Sequence, residues 1–237
     1  MCYIIGMNIR IFEVGGSIRN ELLGRPAADR DFSVLAPSYE AMREYLLSKN
    51  ATIFQERPQF VAIRAKLPDL GAVDFTLARK ESFYTDGRHP DAVSPADTIE
   101  DDLARRDFSM NAIAREVGTT TLIDPFNGRD AIRRRQIESV GRAEDRFRED
   151  TLRIIRSIRF SCQLGFNISP EIVETIMRFR VSDFKAVSSE RLQIELMKAF
   201  ESNTPSALNH MFKFSHLIGL FDERNLWLRP TLETRGL

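Results

Sequence analysis

At 237 residues, with 43% hydrophobic and 29% charged side chains, the chain has the composition of an ordinary folded protein, long enough for one good core and part of a second. Lysine plus arginine and aspartate plus glutamate are equal at 34 each, which excludes a globally basic nucleic-acid binder and leaves room only for a local basic face. There is no apolar run of about eighteen residues to cross a membrane, the short stretch Met1 to Gly6 lacks the basic start of a signal peptide, and there are only two cysteines, Cys2 and Cys162. These features predict a cytoplasmic protein with free thiols, Cys162 on a buried helical face, and no disulfide framework.

Ile9 to Val14 reads as a short strand that runs into Gly15-Gly16, with a helix over Ser17 to Leu23. Glycines at that junction let the backbone approach a ligand, and exposed amides beside Arg19 suit phosphate oxygens. The run lacks both the lysine of a P-loop and the order of a dinucleotide fingerprint. Asp29 and Asp31 precede the next apolar run, Phe32 to Leu35. On a strand their spacing turns both carboxylates to one face and Arg30 to the other, and two hard oxygen ligands on one face suit Mg²⁺.

Tyr39 to Ser48 has helical periodicity, while Ala51 to Phe54, Phe60 to Ala65 and Val73 to Leu77 are strand-like, predicting a mixed sheet with helices on one side. Phe83 to Asp97, rich in Gly, Pro, Asp and Ser, predicts a long loop. After Gly128 the pattern is helical to the end, with starts at Ser169-Pro170, Ser188-Ser189-Glu190 and Thr204-Pro205. Arginines crowd Arg129 to Arg159, Arg133, Arg134 and Arg135 among them, as expected for a local phosphate-binding face. The alternative is a solvated face paired to Glu138, Glu144, Asp145 and Glu149. His89, His210 and His216 have no metal-site spacing.

Five ordered segments carry a family resemblance: Gly15 to Gly24, the Asp29/Asp31 pair, Asp102 to Ala112, Asp124 to Gly128, and Glu149-Asp150-Thr151-Leu152-Arg153-Ile154-Ile155-Arg156. In this order they resemble the class II tRNA nucleotidyltransferases and bacterial poly(A) polymerases, whose catalytic core is polymerase-β-like. The resemblance implies an α+β chain: a nucleotidyltransferase head of mixed sheet and helices over residues 1–135, and a helical neck with the start of a body over 136–237. It implies template-independent addition of CMP and AMP to the 3′ end of tRNA, with ATP and CTP as substrates and Mg²⁺ held by Asp29 and Asp31. An A-adding or CC-adding enzyme, a poly(A) polymerase and an inactive nucleotide- or RNA-binding relative are the alternatives. Asp74, in Val73-Asp74-Phe75-Thr76, has the setting of the third catalytic carboxylate, nearest the attacking hydroxyl.

Carried over onto matching positions, Gly16 and Arg19 belong to the phosphate-binding turn, Arg106 contacts the nucleotide, Asp107 sits near the ribose, and Arg156 and Arg159 hold the triphosphate. Asn111 and Asp124 fit capping or turn roles. The three-residue steps of Asp150, Arg153 and Arg156 predict one helix face on which Asp150 accepts from the exocyclic amine of cytosine or adenine while Arg153 donates to the ring. Asn20 stands where the family usually has Asp. Family members also continue well past this length, so the chain is either a minimal form or a fragment.

Overall fold

In the computed structural model the described residues are 9–26, 30–68, 70–82 and 92–223. Asp29 and residues 83–91, the first part of the expected long loop, lie outside them. The first half is built from β1 (Arg10–Val14), α1 (Gly16–Leu22), β2 (Asp31–Leu35), α2 (Tyr39–Ser48), β3 (Thr52–Arg57), β4 (Ala62–Leu67), β5 (Gly71–Leu77), β6 (Arg79–Ser82), β7 (Ala92–Pro95), α3 (Ile99–Ala104), β8 (Ala114–Glu116), β9 (Leu122–Ile123) and α4 (Gly128–Arg133). Seven strands form one sheet in the order β3-β4-β5-β2-β1-β8-β9. The β2–β5 pair is parallel and its neighbours antiparallel, so the sheet is mixed, as expected.

Alternation along β1 and β2 decides what covers the sheet. Phe12 is opposite Ser33, and Glu13 is opposite Phe32, so Phe12 and Phe32 point to different faces. On one face Phe32, Val34, Ile63 and Phe75 pack under Met42 and Leu46 of α2. On the other Phe12, Val14, Leu35 and Ala114 pack under Ile99 and Leu103 of α3. Helices therefore cover both faces, which corrects the one-sided expectation. The reason is that both β1 and β2 are apolar at even and odd positions alike.

Other local expectations shift. The strand expected from Phe60 begins at Ala62, because Pro58–Phe60 forms a 3₁₀ turn and Val61 is left-handed at φ 49. The end of the expected loop is strand: β7 pairs with β6, Arg79 opposite Pro95. The second half contains α5 (Ala143–Glu149), α6 (Leu152–Leu164), α7 (Pro170–Arg178), α8 (Ser189–Ser202), α9 (Thr204–Lys213) and α10 (Gly219–Glu223). It is not wholly helical: β10 (Gln136–Ile137) and β11 (Asn167–Ile168) form a short parallel pair. The three helix starts read from Ser169, Ser188 and Thr204 hold, with Ser169 and Ser188 accepting the Ile172 and Arg191 amides.

The largest core joins the halves. Ile18 of α1, Phe108, Met110 and Ile132 share it with Phe147, Ile158 and Phe160. Cys162 is a buried free thiol there. Among the described residues no helix is long and apolar enough to cross a membrane.

Candidate active site

β1 enters α1 through Gly15, whose φ of +78 few other residues adopt. A Cβ on Gly15 would stand 3.1 Å from Arg106 Nη1, and one on Gly16 would stand 3.4 Å from Arg19 Nη2. The two glycines thus let guanidinium groups close over the turn. Beside it opens a cavity of about 390 Å³ bordered by Gly15, Gly16, Asp31 and the four arginines Arg19, Arg106, Arg156 and Arg159.

Each arginine is held differently. Arg19 is buried and donates to two neutral carboxamides, through Nη1 to Asn111 Oδ1 at 2.6 Å and through Nη2 to Asn20 Oδ1 at 3.0 Å. Burial, then repulsion from Arg159, pulls its pKa down to about 10, so it is a cation at neutral pH that, among the described residues, has no carboxylate hydrogen-bonded to it. Arg106 is anchored by Asp102, which accepts from Nη2 at 3.1 Å. Asp102 is wholly buried and also accepts from Ser33 Oγ at 2.8 Å and Arg105 Nη2 at 2.8 Å. Burial opposes its charge, but Arg105 and Arg106 outweigh that and hold its pKa at about 2.

Arg156 donates to Asp107 Oδ2 from Nε at 2.9 Å and Nη2 at 2.5 Å. The other Asp107 oxygen accepts from the Phe108 amide at 2.8 Å and Asn111 Nδ2 at 3.1 Å. Both oxygens are therefore engaged, chiefly in fixing Arg156. Burial opposes the Asp107 charge, yet Arg156 and these bonds keep its pKa at about 2. Burial pushes Arg159 down, whereas Asp107 and Glu195 overcome burial at Arg156 and push it up. Three of the guanidiniums surround the Phe160 ring, Arg159 at 3.9 Å, Arg19 at 5.2 Å and Arg156 at 5.5 Å from its centroid. A concentration of partly desolvated cations around an open volume is an anion site, and its four forks suit a polyphosphate.

The carboxylates lie at the edge of this cradle. Asp31 opens β2 and stands in register with Val14 on one side and Asp74 of β5 on the other. Register partners share a face, so Asp31 and Asp74 project together from the face that α3 covers further along. Asp74 Oδ2 accepts from Arg64 Nη1 at 3.2 Å. Arg30 turns the other way, as the alternation requires: it pairs with Glu13 at 2.9 Å and lies over the Phe32 ring at 5.1 Å. Asp29 lies outside the described residues. Two carboxylates on one face of adjacent strands, Asp31 of them bordering the cavity, have donor chemistry that suits Mg²⁺.

The expected placing of Asp150 and Arg153 on one helix face does not occur. Asp150 is not on the helix of Arg153; it ends α5 in extended conformation, and α6 begins at Leu152. Its Oδ1 accepts from the Leu152 amide at 3.1 Å and its Oδ2 from Arg191 Nη2 at 3.0 Å. Arg153 instead donates to Glu149 at 2.8 Å and to the Arg105 carbonyl at 2.8 Å. Breaking the helix at Asp150 sends the two side chains to different partners.

Arg133 pairs with Asp130, and Arg134 with Asp130 and Glu138. Arg135 is exposed and left-handed at φ 51. A wider hollow of about 800 Å³ between the end of α1 and α4 touches Leu22, Asp124 and Arg133. Its Asp124 caps α4 by accepting the Gly128 and Arg129 amides, the structural role expected of it.

Sequence reasoning gave no role to Asp102, Phe160, Arg191 or Glu195. Asp102 to Arg106 is an i,i+4 spacing that sequence shows; the α8 residues had no local signal.

A mixed sheet whose first strand turns through two glycines into a helix, with aspartates on adjacent strands beside a phosphate cradle, defines a nucleotidyltransferase head. Comparison with known proteins agrees. Residues 11–138 match the poly A polymerase head domain, and the chain belongs to that family. It is 39% identical over 186 residues to the CCA-adding enzyme of Geobacillus stearothermophilus, covering 78% of this chain and 44% of that protein. The crystal structure of Bacillus stearothermophilus CCA-adding enzyme in complex with CTP superposes with a TM-score of 0.71 at 32% identity, covering 96% of this chain and 51% of that one. A tRNA nucleotidyltransferase complexed with a primer tRNA and an incoming ATP analog superposes at 0.63 with 26% identity, covering 92% and 58%. The chain spans about half the length of the curated relatives it matches.

Proposed function

We propose that this chain carries the catalytic head and neck of a template-independent tRNA nucleotidyltransferase that adds CMP and AMP to the tRNA 3′ end. The observation that carries this reading is the register of Asp31 with Asp74 beside the cradle of Arg19, Arg106, Arg156 and Arg159. Relatives named as CCA-adding enzymes, and similar structures holding CTP or a primer tRNA, support it.

In this reaction the ribose 3′ hydroxyl gives up its proton toward the carboxylate that faces it, Asp74, its oxygen forms a bond to the α-phosphorus, the bond from that phosphorus to the bridging oxygen of the β-phosphate breaks, and pyrophosphate leaves. The turn at Gly16 and the four arginines bind and orient the triphosphate, and their charge meets what develops on the leaving group. Asp107 positions Arg156 beside the ribose. Asp29 and Asp31 would hold Mg²⁺, and Asp74 faces the attacking hydroxyl. Two such ions would supply Lewis-acid stabilisation of the attacking and leaving oxygens. Asp150 and Arg153 select the base: the carboxylate accepts an exocyclic amine, and Arg153 gives up its Glu149 bond to donate to the ring. Guanine and uracil present a carbonyl to Asp150 and are rejected. Arg133, Arg134 and Arg135 meet RNA phosphates, residues 1–135 forming the head and 136–237 the neck and start of a body. The working compartment is the cytoplasm.

The match of residues 11–138 to the poly A polymerase head domain favours a second reading, addition of AMP alone. Gel analysis of labelled tRNA lacking its terminal trinucleotide, incubated with each NTP and Mg²⁺, separates the two. CMP followed by AMP incorporation is expected. AMP addition without CMP would establish the second reading, and no addition by the folded chain would overturn both.

A further inference from the structure

Glu13 is a buried carboxylate between Phe12 and Val14 of β1, on the face of the sheet opposite to Asp31, and the reaction makes no use of it. Its Oε1 accepts from Arg30 Nε at 3.0 Å and its Oε2 from Arg30 Nη2 at 2.9 Å, a two-bond fork, and Oε2 also accepts from Arg115 Nη2 at 3.1 Å. Arg115, the register partner of Glu13 on β8, reaches on to Glu21 of α1, donating from Nη1 at 2.8 Å and from Nη2 at 2.7 Å. Burial opposes the charge on Glu13, but the hydrogen bonds from Arg30 and Arg115 outweigh it and hold its pKa at about 2. A carboxylate buried in this way has its desolvation offset only while its cations stay in reach, so the fork to Arg30 is held where an exposed pair would be loose.

Arg30 stands at the open end of β2. The paired register of β1 and β2 ends at Val14 opposite Asp31, and Arg30 lies one residue beyond it. Glu13 therefore takes Arg30 on the diagonal, across the end of the ladder, while the Phe32 ring lies 5.1 Å from the guanidinium carbon. Clamped on one face by the carboxylate and the ring, Arg30 fixes the backbone that leads into Asp31. By strand alternation that also fixes the direction in which Asp31 leaves the other face.

We propose that Glu13 is a positioning residue for the metal-binding edge of the site: from the back of the sheet, through Arg30, it holds the start of β2 so that Asp31 meets a divalent cation in one fixed direction. Glu13 touches neither the cation nor the nucleotide, and its role rests on the metal-binding role proposed for Asp31.

The test is binding of Mn²⁺, followed by the electron paramagnetic resonance of the free ion, to the whole nucleotide-free chain and to D31A, E13Q, R30M, the E13Q/R30M double variant and E21Q. Calorimetric binding of CTP without divalent ions runs alongside, and circular dichroism checks the fold of each. The Mn²⁺ binding that D31A removes is the signal. E13Q and R30M are each expected to weaken it about tenfold, the effect an outer-shell partner has on a metal site. The double variant falls no further than the weaker single one, since both changes open the same clamp. CTP affinity stays at the wild-type value in both single variants, because the arginine cradle borders Asp31 on the other face of the sheet. E21Q, which cuts Arg115 from α1 and leaves the Glu13–Arg30 fork, keeps wild-type Mn²⁺ binding. R30M, at the more exposed end of the pair, decides the matter where E13Q does not fold. Unchanged Mn²⁺ binding in the folded E13Q or R30M variants, with D31A losing it, would overturn the role of Glu13 and leave the metal reading intact. Unchanged Mn²⁺ binding in D31A would overturn the metal reading and the role of Glu13 with it. A matching loss of CTP affinity in E13Q, or an equal loss of Mn²⁺ binding in E21Q, would show a general loosening of the glycine turn and overturn the role of Glu13 alone.

Discussion

Replacing Asp107 with asparagine removes a charge from the centre of the site and keeps its shape. Asp107 is 8% exposed, and its oxygens accept from Arg156 twice, from the Phe108 amide and from Asn111. The fall in its pKa from 3.8 to about 2 corresponds to about 2 kcal/mol of stability at neutral pH. Stranding Arg156 beside an amide belongs to the range of about 3 kcal/mol for breaking a buried ion pair, so the two routes agree. In a chain of this size that is a fall of roughly 6 to 12 °C in Tm. The sign with pH follows from the depressed value: the contribution is complete above the ordinary carboxylate pKa and is lost as pH falls from about 4 through about 2. Thermal unfolding of wild type and D107N followed by circular dichroism from pH 7 to pH 2 should show a gap that closes toward the acid end. A gap below about 0.5 kcal/mol at pH 7, or one that persists unchanged at pH 2, would refute a buried Asp107–Arg156 pair.

A Cβ on Gly128 would stand 2.2 Å from the Ser109 carbonyl oxygen, so G128A should cost about 3 kcal/mol by forcing α4 from the core, read as a lowered urea midpoint; wild-type stability would show that the backbone yields there. D31A and D74A should each abolish nucleotide addition with little change in Tm, since both carboxylates lie at the rim, and turnover above a few per cent of wild type would take that residue out of the reaction. Replacing Arg133, Arg134 and Arg135 together with alanine should raise the apparent KM for RNA, flatten its salt dependence and leave the KM for NTP alone. The same surface predicts that a minihelix of acceptor and T-arm stems is extended nearly as well as full tRNA, and strong discrimination against it would place the RNA contacts elsewhere.

The sequence by itself determined the elements with strong local signals and the residue types that carry chemistry. Tyr39–Ser48 has a clear helical period and a Ser38 cap, and it is a helix over those residues. The glycine turn needs a backbone conformation that its own residues dictate, and Asp31 follows from its place at the head of an apolar run. Short strands were less legible: β8 to β11 are two or three residues each, too brief for a period to show, and they exist because the sheet edge or a facing strand accepts their hydrogen bonds. Covering of both sheet faces was half legible: the two-sided apolar content of β1 and β2 stands in the sequence, whereas the packing of α3 does not.

Only the tertiary structure decided who holds whom. The three-residue spacing of Asp150 and Arg153 implies one helix face, but the chain leaves helical geometry at Asp150, and one residue of extended backbone sends it to Arg191 and leaves Arg153 with Glu149. Arg156 and Asp107 are 49 residues apart and Arg156 and Glu195 are 39 apart, so no local pattern announces either pair. Local sequence fixes conformation through interactions over a few residues, whereas charge pairing in a buried site depends on which distant groups the core brings within about 3 Å, and that is a property of the packed chain.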